Sequence, residues 1–153
     1  MKNGIVERLR GCGTVHIDTN PFIYFLEGEG RRSQVVGSVL AEIGIGEFRG
    51  TSSCVTLLEV LVKPLRDGRR DLADQYRDIL VNAASFALVP LDRAVAESAA
   101  QIRAKHNFKT PDAIQLASAL HAGATTFLTN DTQLRRFEGL DVVILDDFVA
   151  PGL

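Results

Sequence analysis

The sequence predicts an α/β fold built on a parallel sheet. Three observations point there. Five short runs rich in β-branched and apolar residues recur at 15–18, 51–54, 87–89, 127–129 and 142–145. The stretches between them carry apolar residues at helical spacing, and no internal repeat or low-complexity tract interrupts the alternation. Strands alternating with helices favour a parallel sheet, because a parallel connection needs a crossover of helical length.

The opening segment MKNGIVERLR carries charges where a secretory leader would need an apolar stretch, and no apolar run reaches the roughly 18 residues of a membrane span. A cytoplasmic protein is the expectation. The first strand, 15–18, ends on Asp18, and Thr19-Asn20-Pro21 then opens a helix whose apolar residues 22–26 are expected to face the core rather than an interface. Val35, Val36, Val39, Leu40 and Ile43 form one helical stripe. After the second strand, Thr56 and Glu59 have the spacing of a capping box. Leu72, Ala73, Tyr76, Ile79 and Leu80 form the next stripe, and the third strand leads to an alanine-rich helix over 94–105 with Val95, Ala99 and Ile102 on one side. Thr110 is expected as the N-cap of a further helix, with Pro111 at its first position and a stop near Gly123. The fourth strand is followed by a short helix holding Leu134 and Phe137, and then by the fifth strand. Turns such as GEGRR and RDGRR are too short to be linkers, so residues 1–153 read as a single domain.

With 153 residues, 46% hydrophobic and 24% charged, the chain can bury a real core. Cys12 and Cys54 lie far apart with no CxxC and no histidine partner, which predicts buried reduced thiols rather than a disulfide or zinc site. The net charge of -2 argues against nucleic-acid binding through a broad basic surface. It leaves room for a nuclease, since a divalent cation held by converging acids inverts the local field. Basic pairs and triples at Arg31 and Arg32, at Arg66, Arg69 and Arg70, and at Arg135 and Arg136 read first as solvated loops and helix ends, with a weak preference for RNA contact at the Arg66 to Arg70 group. His16, His106 and His121 show no ligand spacing.

Four acids carry the functional reading, although each has a structural use. Asp18 at the tip of the first strand can cap the following helix, Glu59 can complete a capping box, Asp112 can complement a helix dipole, and Asp131 can cap the short helix after the fourth strand. Their convergence is what matters. In an open parallel sheet, ligands bind beyond the carboxyl ends of the strands. Asp18 and Asp131 follow their strands directly, and Glu59 is expected in the first turn of the helix leaving the second strand. The helix of Asp112 joins the fourth strand through a short turn, so it runs antiparallel to that strand and its N-terminus returns to the same edge. Stability does not call for four anions at one place, since like charges raise each other's pKa values. An all-oxygen cluster without His or Cys suits Mg²⁺ or Mn²⁺, and metal-assisted hydrolysis of a phosphodiester follows.

At these positions the chain resembles the PIN-domain nucleases and, within them, the VapC-type toxins of toxin-antitoxin pairs. The resemblance is carried by HIDTNPFIYFLE at 16–27, TSSCVTLLEVLVKP at 51–64, TPDAIQLASALHAGATTFLTND at 110–131 and VVILDDF at 142–148. It implies a PIN-like three-layer fold, with a five-stranded parallel sheet flanked by helices, and a Mg²⁺- or Mn²⁺-dependent endoribonuclease leaving 5′-phosphate and 3′-hydroxyl ends. Asp18, Glu59, Asp112 and Asp131 match the family's catalytic and metal-binding acids, and Asn20 and Thr129 match small polar residues that support the cluster. A homodimer and a cognate antitoxin are the implied partners, with RNA as substrate. Three rival readings compete with this one. A receiver-type phosphoacceptor would use Asp92 with a lysine such as Lys109, but the first strand lacks the acid pair; a haloacid-dehalogenase-type phosphatase would need a second aspartate two residues after Asp18; and a PIN fold could bind RNA or a partner without cutting. A free-standing RNA-processing nuclease keeps the chemistry and drops the antitoxin.

Overall fold

The computed structural model describes residues 2–149. Its elements follow in the order α1 (Lys2–Leu9), β1 (Thr14–Ile17), α2 (Thr19–Glu27), α3 (Arg31–Gly44), β2 (Arg49–Ser53), α4 (Cys54–Arg66), α5 (Arg70–Leu80), β3 (Phe86–Val89), α6 (Arg93–His106), α7 (Thr110–His121), β4 (Thr126–Thr129) and β5 (Asp141–Ile144). Short 3₁₀ turns at Thr132–Arg136 and Leu145–Phe148 follow the last two strands. All five expected strands are present, each displaced by a residue or two at its ends. Helix α1 lies outside the helices expected from apolar spacing, and Ile5, Val6 and Leu9 are its buried face.

The sheet is five-stranded and wholly parallel, in the order β3-β2-β1-β4-β5, as the family resemblance implied. The chain grows from β1 outward to β3, then crosses back over α6 and α7 to lay β4 on the other side of β1. That reversal makes the carboxyl ends of β1 and β4 the switch point of the sheet, where diverging connections leave a crevice.

Alternation along the strands divides the core in two. Val15 and Ile17 of β1 and Leu128 of β4 face a cluster with Leu9, Phe22, Val39 and Tyr76, from α1, α2, α3 and α5. Phe127 faces the opposite cluster, with Ala113, Leu116 and Ala117 of α7 and Val95, Ala99 and Ile102 of α6. His16 is paired with Phe127 in the parallel register and stacks on its ring, with centroids 5.4 Å apart. The apolar residues 22–26 are core, as expected: Phe22 is buried and Ile23, Tyr24, Phe25 and Leu26 pack against it.

Two helix starts differ from expectation. The N-cap of α7 is Lys109 rather than Thr110, whose hydroxyl instead accepts from Arg103 at 3.0 Å. Helix α4 starts at Cys54, capped by Ser53 Oγ, which accepts from the Val55 N–H at 3.0 Å. Glu59 therefore lies in the second turn of α4, not the first, and the capping box with Thr56 does not form. The sheet register extends β2 to Ser53, so the helix begins as soon as the strand ends. Beyond α7, Gly123 adopts φ +75°, a left-handed conformation that turns the chain into β4. Cys12 and Cys54 are free thiols, half-buried rather than buried.

Candidate active site

Asp18 stands at the end of β1, where it caps α2: one carboxylate oxygen accepts from the Thr19 N–H at 2.8 Å and the other from the Thr129 hydroxyl at 2.7 Å. Both oxygens of this carboxylate are thus fixed, one by a backbone donor and one by a side-chain hydroxyl. Asp131 caps the 3₁₀ turn after β4 by accepting from the Gln133 N–H at 3.0 Å, and its own N–H donates to Thr129 Oγ1 at 3.1 Å. Asp112 lies in the first turn of α7. Glu59, exposed on α4, accepts from the Thr19 hydroxyl at 2.7 Å.

These four acids line one cavity of about 410 Å³ at the carboxyl edge of the sheet, with Asn20 and Gln115 between them. The convergence argued from strand direction is present in the fold. Asn20 is exposed at the mouth, and Thr129 lies beneath the acids as their hydrogen-bond partner. A hollow of about 430 Å³ between α6 and α7 is as large, but Leu91, Ala99 and Ile114 line it and it holds no acid cluster. Chemistry, not size, singles out the rim.

The electrostatics at the rim are unbalanced. Burial pushes the Asp18 carboxyl up from 3.8 to about 6, opposed by its bonds to Thr129 and Thr19 and reinforced by the charges of Asp112 and Glu59. Asp112 is also raised, first by burial and then by Asp131, with Lys109 opposing. Among the described residues, no ion pair includes any of the four acids. Their repulsion is left for something else to neutralise.

A hard divalent cation fits this donor set, with one qualification of geometry. Among the described residues, no three His, Cys, Asp or Glu side chains stand close enough to enclose an ion by themselves. Mg²⁺ does not need such a cage, because it keeps several waters and takes one or two carboxylates together with substrate oxygens.

A PIN domain model matches residues 15–140. The chain belongs to the PIN domain family. The matched region runs from β1 to the end of the turn before β5, so it contains all four acids. Two solved structures share the PIN fold seen here. One is a toxin-antitoxin complex from Klebsiella pneumoniae, 20% identical, with a TM-score of 0.65, covering 86% of this chain and 97% of that one. The other is VapBC2 from Rickettsia felis bound to a DNA fragment from their promoter, 12% identical, with a TM-score of 0.66, covering 86% and 98%. No curated protein matches the chain.

Sequence reasoning missed the polar residues beneath the PIN rim. His16 and Gln115, set among apolar neighbours in HIDTN and DAIQLA, are buried and hydrogen-bonded to each other at 2.9 Å. Burial lowers His16 to about 4, so its ring is neutral near pH 7. A polar residue on an otherwise apolar stripe was the available signal. Of the basic groups, Arg32 pairs with Asp146, Arg69 with Asp71 and Arg135 with Asp147, all on the surface.

Proposed function

We propose that this PIN domain, read as one domain over residues 1–153, is a Mg²⁺- or Mn²⁺-dependent endoribonuclease and the toxin of a toxin-antitoxin pair. The observation that carries the reading is the meeting of Asp18, Glu59, Asp112 and Asp131 in one cavity at the switch point of the sheet, with no ion pair to any of them among the described residues. Asp18 and Asp112 would hold the ion, with Glu59 and Asp131 completing its shell through water or positioning a second ion. When bound, the ion supplies a more acidic water and stabilises the charge that builds on the phosphate during in-line displacement.

The protein's own groups set the geometry. Thr129 and the Thr19 N–H present Asp18 in one orientation. Glu59, exposed and held through one oxygen, keeps its second oxygen free to take a proton from the attacking water. Asn20 lines the cavity mouth, and its amide would donate to a phosphate oxygen. Lys109, exposed beside Asp112, adds a cation where the backbone of the substrate would enter.

The toxin reading is supported by the toxin-antitoxin neighbours; a homodimer, an antitoxin partner and a cytoplasmic site of action go with it. Among the described residues no helix is long and apolar enough to cross a membrane. Purified protein should cut a structured RNA with Mg²⁺ or Mn²⁺, lose the activity in EDTA, and lose it by at least about a hundredfold in Asp18→Asn and Asp112→Asn. Metal-independent cutting, or full activity in either variant, overturns the reading. Expression in cells should arrest growth, and co-expression of a small protein encoded beside it should relieve the arrest. Cutting without arrest would favour a free-standing processing nuclease.

A further inference from the structure

Beneath the rim, six polar side chains form a continuous run through the layer between the sheet and α7. Thr51 Oγ1 lies 2.9 Å from His16 Nδ1, and His16 Nε2 lies 2.9 Å from Gln115 Oε1. Gln115 Nε2 donates to Thr56 Oγ1 at 2.7 Å, Thr56 Oγ1 lies 3.0 Å from Thr19 Oγ1, and the Thr19 hydroxyl donates to Glu59 Oε1 at 2.7 Å. We propose that His16, Gln115 and Thr19 are positioning residues, whose one-directional run of hydrogen bonds delivers the Thr19 proton to Glu59 and holds that carboxylate in a single orientation on the rim.

The direction follows from proton counting. A carboxylate only accepts, so the Thr19 proton is spent on Glu59. Thr19 Oγ1 then accepts from the Gln115 amide at 3.3 Å, and Thr56 Oγ1 accepts from the same amide at 2.7 Å, with Ser52 Oγ a further 2.9 Å neighbour of Thr56. Gln115 Oε1 is left as acceptor, so His16 carries its proton on Nε2 and accepts from Thr51 through Nδ1. Every member is satisfied; the single buried side-chain polar atom without a partner among the described residues is Ser118 Oγ, outside the run. A satisfied buried network is rigid, whereas a broken one leaves desolvated groups unpaired.

Glu59 needs this support more than Asp18 does. Asp18 is short and gripped at both oxygens, whereas Glu59 projects from an exposed position with an additional rotatable bond. Fixing such a side chain costs rotamer entropy unless a preset partner offsets it. The run also joins three acid-bearing elements. Gln115 lies three residues after Asp112 on α7, Thr19 follows Asp18 directly, and Thr56 precedes Glu59 on α4. Spacing between the acids is therefore set from below.

This inference rests on the nuclease reading, and the experiment separates the two. Thr19→Val keeps the shape and removes the hydroxyl; Thr19→Ser restores it. Against RNA with Mn²⁺, Thr19→Val should lose roughly ten- to hundredfold in kcat, with KM changed less than about threefold, and Thr19→Ser should recover to within about threefold of wild type. The Mn²⁺ concentration giving half of the thermal stabilisation should rise about tenfold in Thr19→Val and stay near the wild-type value in Thr19→Ser. Gln115→Leu should resemble Thr19→Val. Wild-type activity in Thr19→Val, or equal loss in Ser and Val, overturns the proposal. ¹⁵N spectra of the folded protein should show His16 protonated on Nε2, and protonation on Nδ1 overturns the run whether or not RNA is cut. If wild type fails to cut, the nuclease reading falls, and the His16 tautomer with the Mn²⁺ midpoints still decides the positioning role.

Discussion

Thr129 and Asp18 close the neighbouring parallel strands β4 and β1, and the Thr129 hydroxyl donates to Asp18 Oδ2 at 2.7 Å while its oxygen accepts from the Asp131 N–H. One small hydroxyl therefore joins two of the four rim acids. It also explains how a nearly buried carboxylate is tolerated at the switch point: its charge is met by fixed donors, though not by a cation. Burial remains the larger influence, and from it comes the first prediction.

In metal-free protein the Asp18 carboxyl, raised from 3.8 to about 6, favours folding below its unfolded value and withdraws that support as pH climbs through its folded value. Wild type should therefore lose stability relative to Asp18→Asn between about pH 4 and pH 6.5, by up to about 3 kcal/mol. Urea unfolding in EDTA across that range measures the difference. A difference that stays constant with pH would contradict the assignment of Asp18 as the strained acid.

Added Mg²⁺ should stabilise the wild type by mass action. At about a hundred times its Kd the gain is about 2.7 kcal/mol, or roughly 5–10 °C in Tm for a domain of this size. Asp112→Asn should show a smaller rise at the same concentration, because a carboxylate of the shared site is gone. Equal rises in both proteins would count against a common ion.

Asp92 follows β3, where a receiver-type domain would keep an acceptor, but its side chain is the N-cap of α6 and accepts from the Val95 N–H at 2.9 Å. Asp92→Ala should cost about 1 kcal/mol of stability and leave RNA cleavage unchanged. Acetyl phosphate should leave Asp92 unlabelled by mass spectrometry; a phosphoaspartate there would revive the signalling alternative.

Gly50 in β2 has no room for a side chain. A Cβ there would come within 2.7 Å of Ile43 Cδ1 and 2.8 Å of Phe86 Cδ2, from α3 and the edge strand β3. Gly50→Ala should cost about 1–3 kcal/mol by overpacking, read as a lower urea midpoint with an unchanged slope. A neutral substitution would mean that the Phe86 ring moves freely, loosening the strand that leads into α4.

The pattern of the sequence determined the five strands and the helices between them, because strand alternation and helical spacing are local and need no partner to be read, whereas α1, whose buried face is Ile5, Val6 and Leu9, was not legible. It also placed Asp18 and Asp131 at strand tips and carried the short motifs of the PIN family. The start of α4 was not legible, since whether Ser53 ends a strand or caps a helix depends on β2 pairing with β3 through that residue. Glu59 moved by a turn for that reason, and its partner became Thr19, forty residues earlier, rather than Thr56. Asn20 and Thr129 looked alike in sequence; packing left one exposed at the cavity mouth and set the other beneath the acids. His16 and Gln115 read as ordinary strand and helix positions, and only the stacking of α7 on the sheet brought them together. Local chemistry thus determined the acids, while long-range packing decided how each is held, because a hydrogen bond between distant residues exists only once the layers between them close.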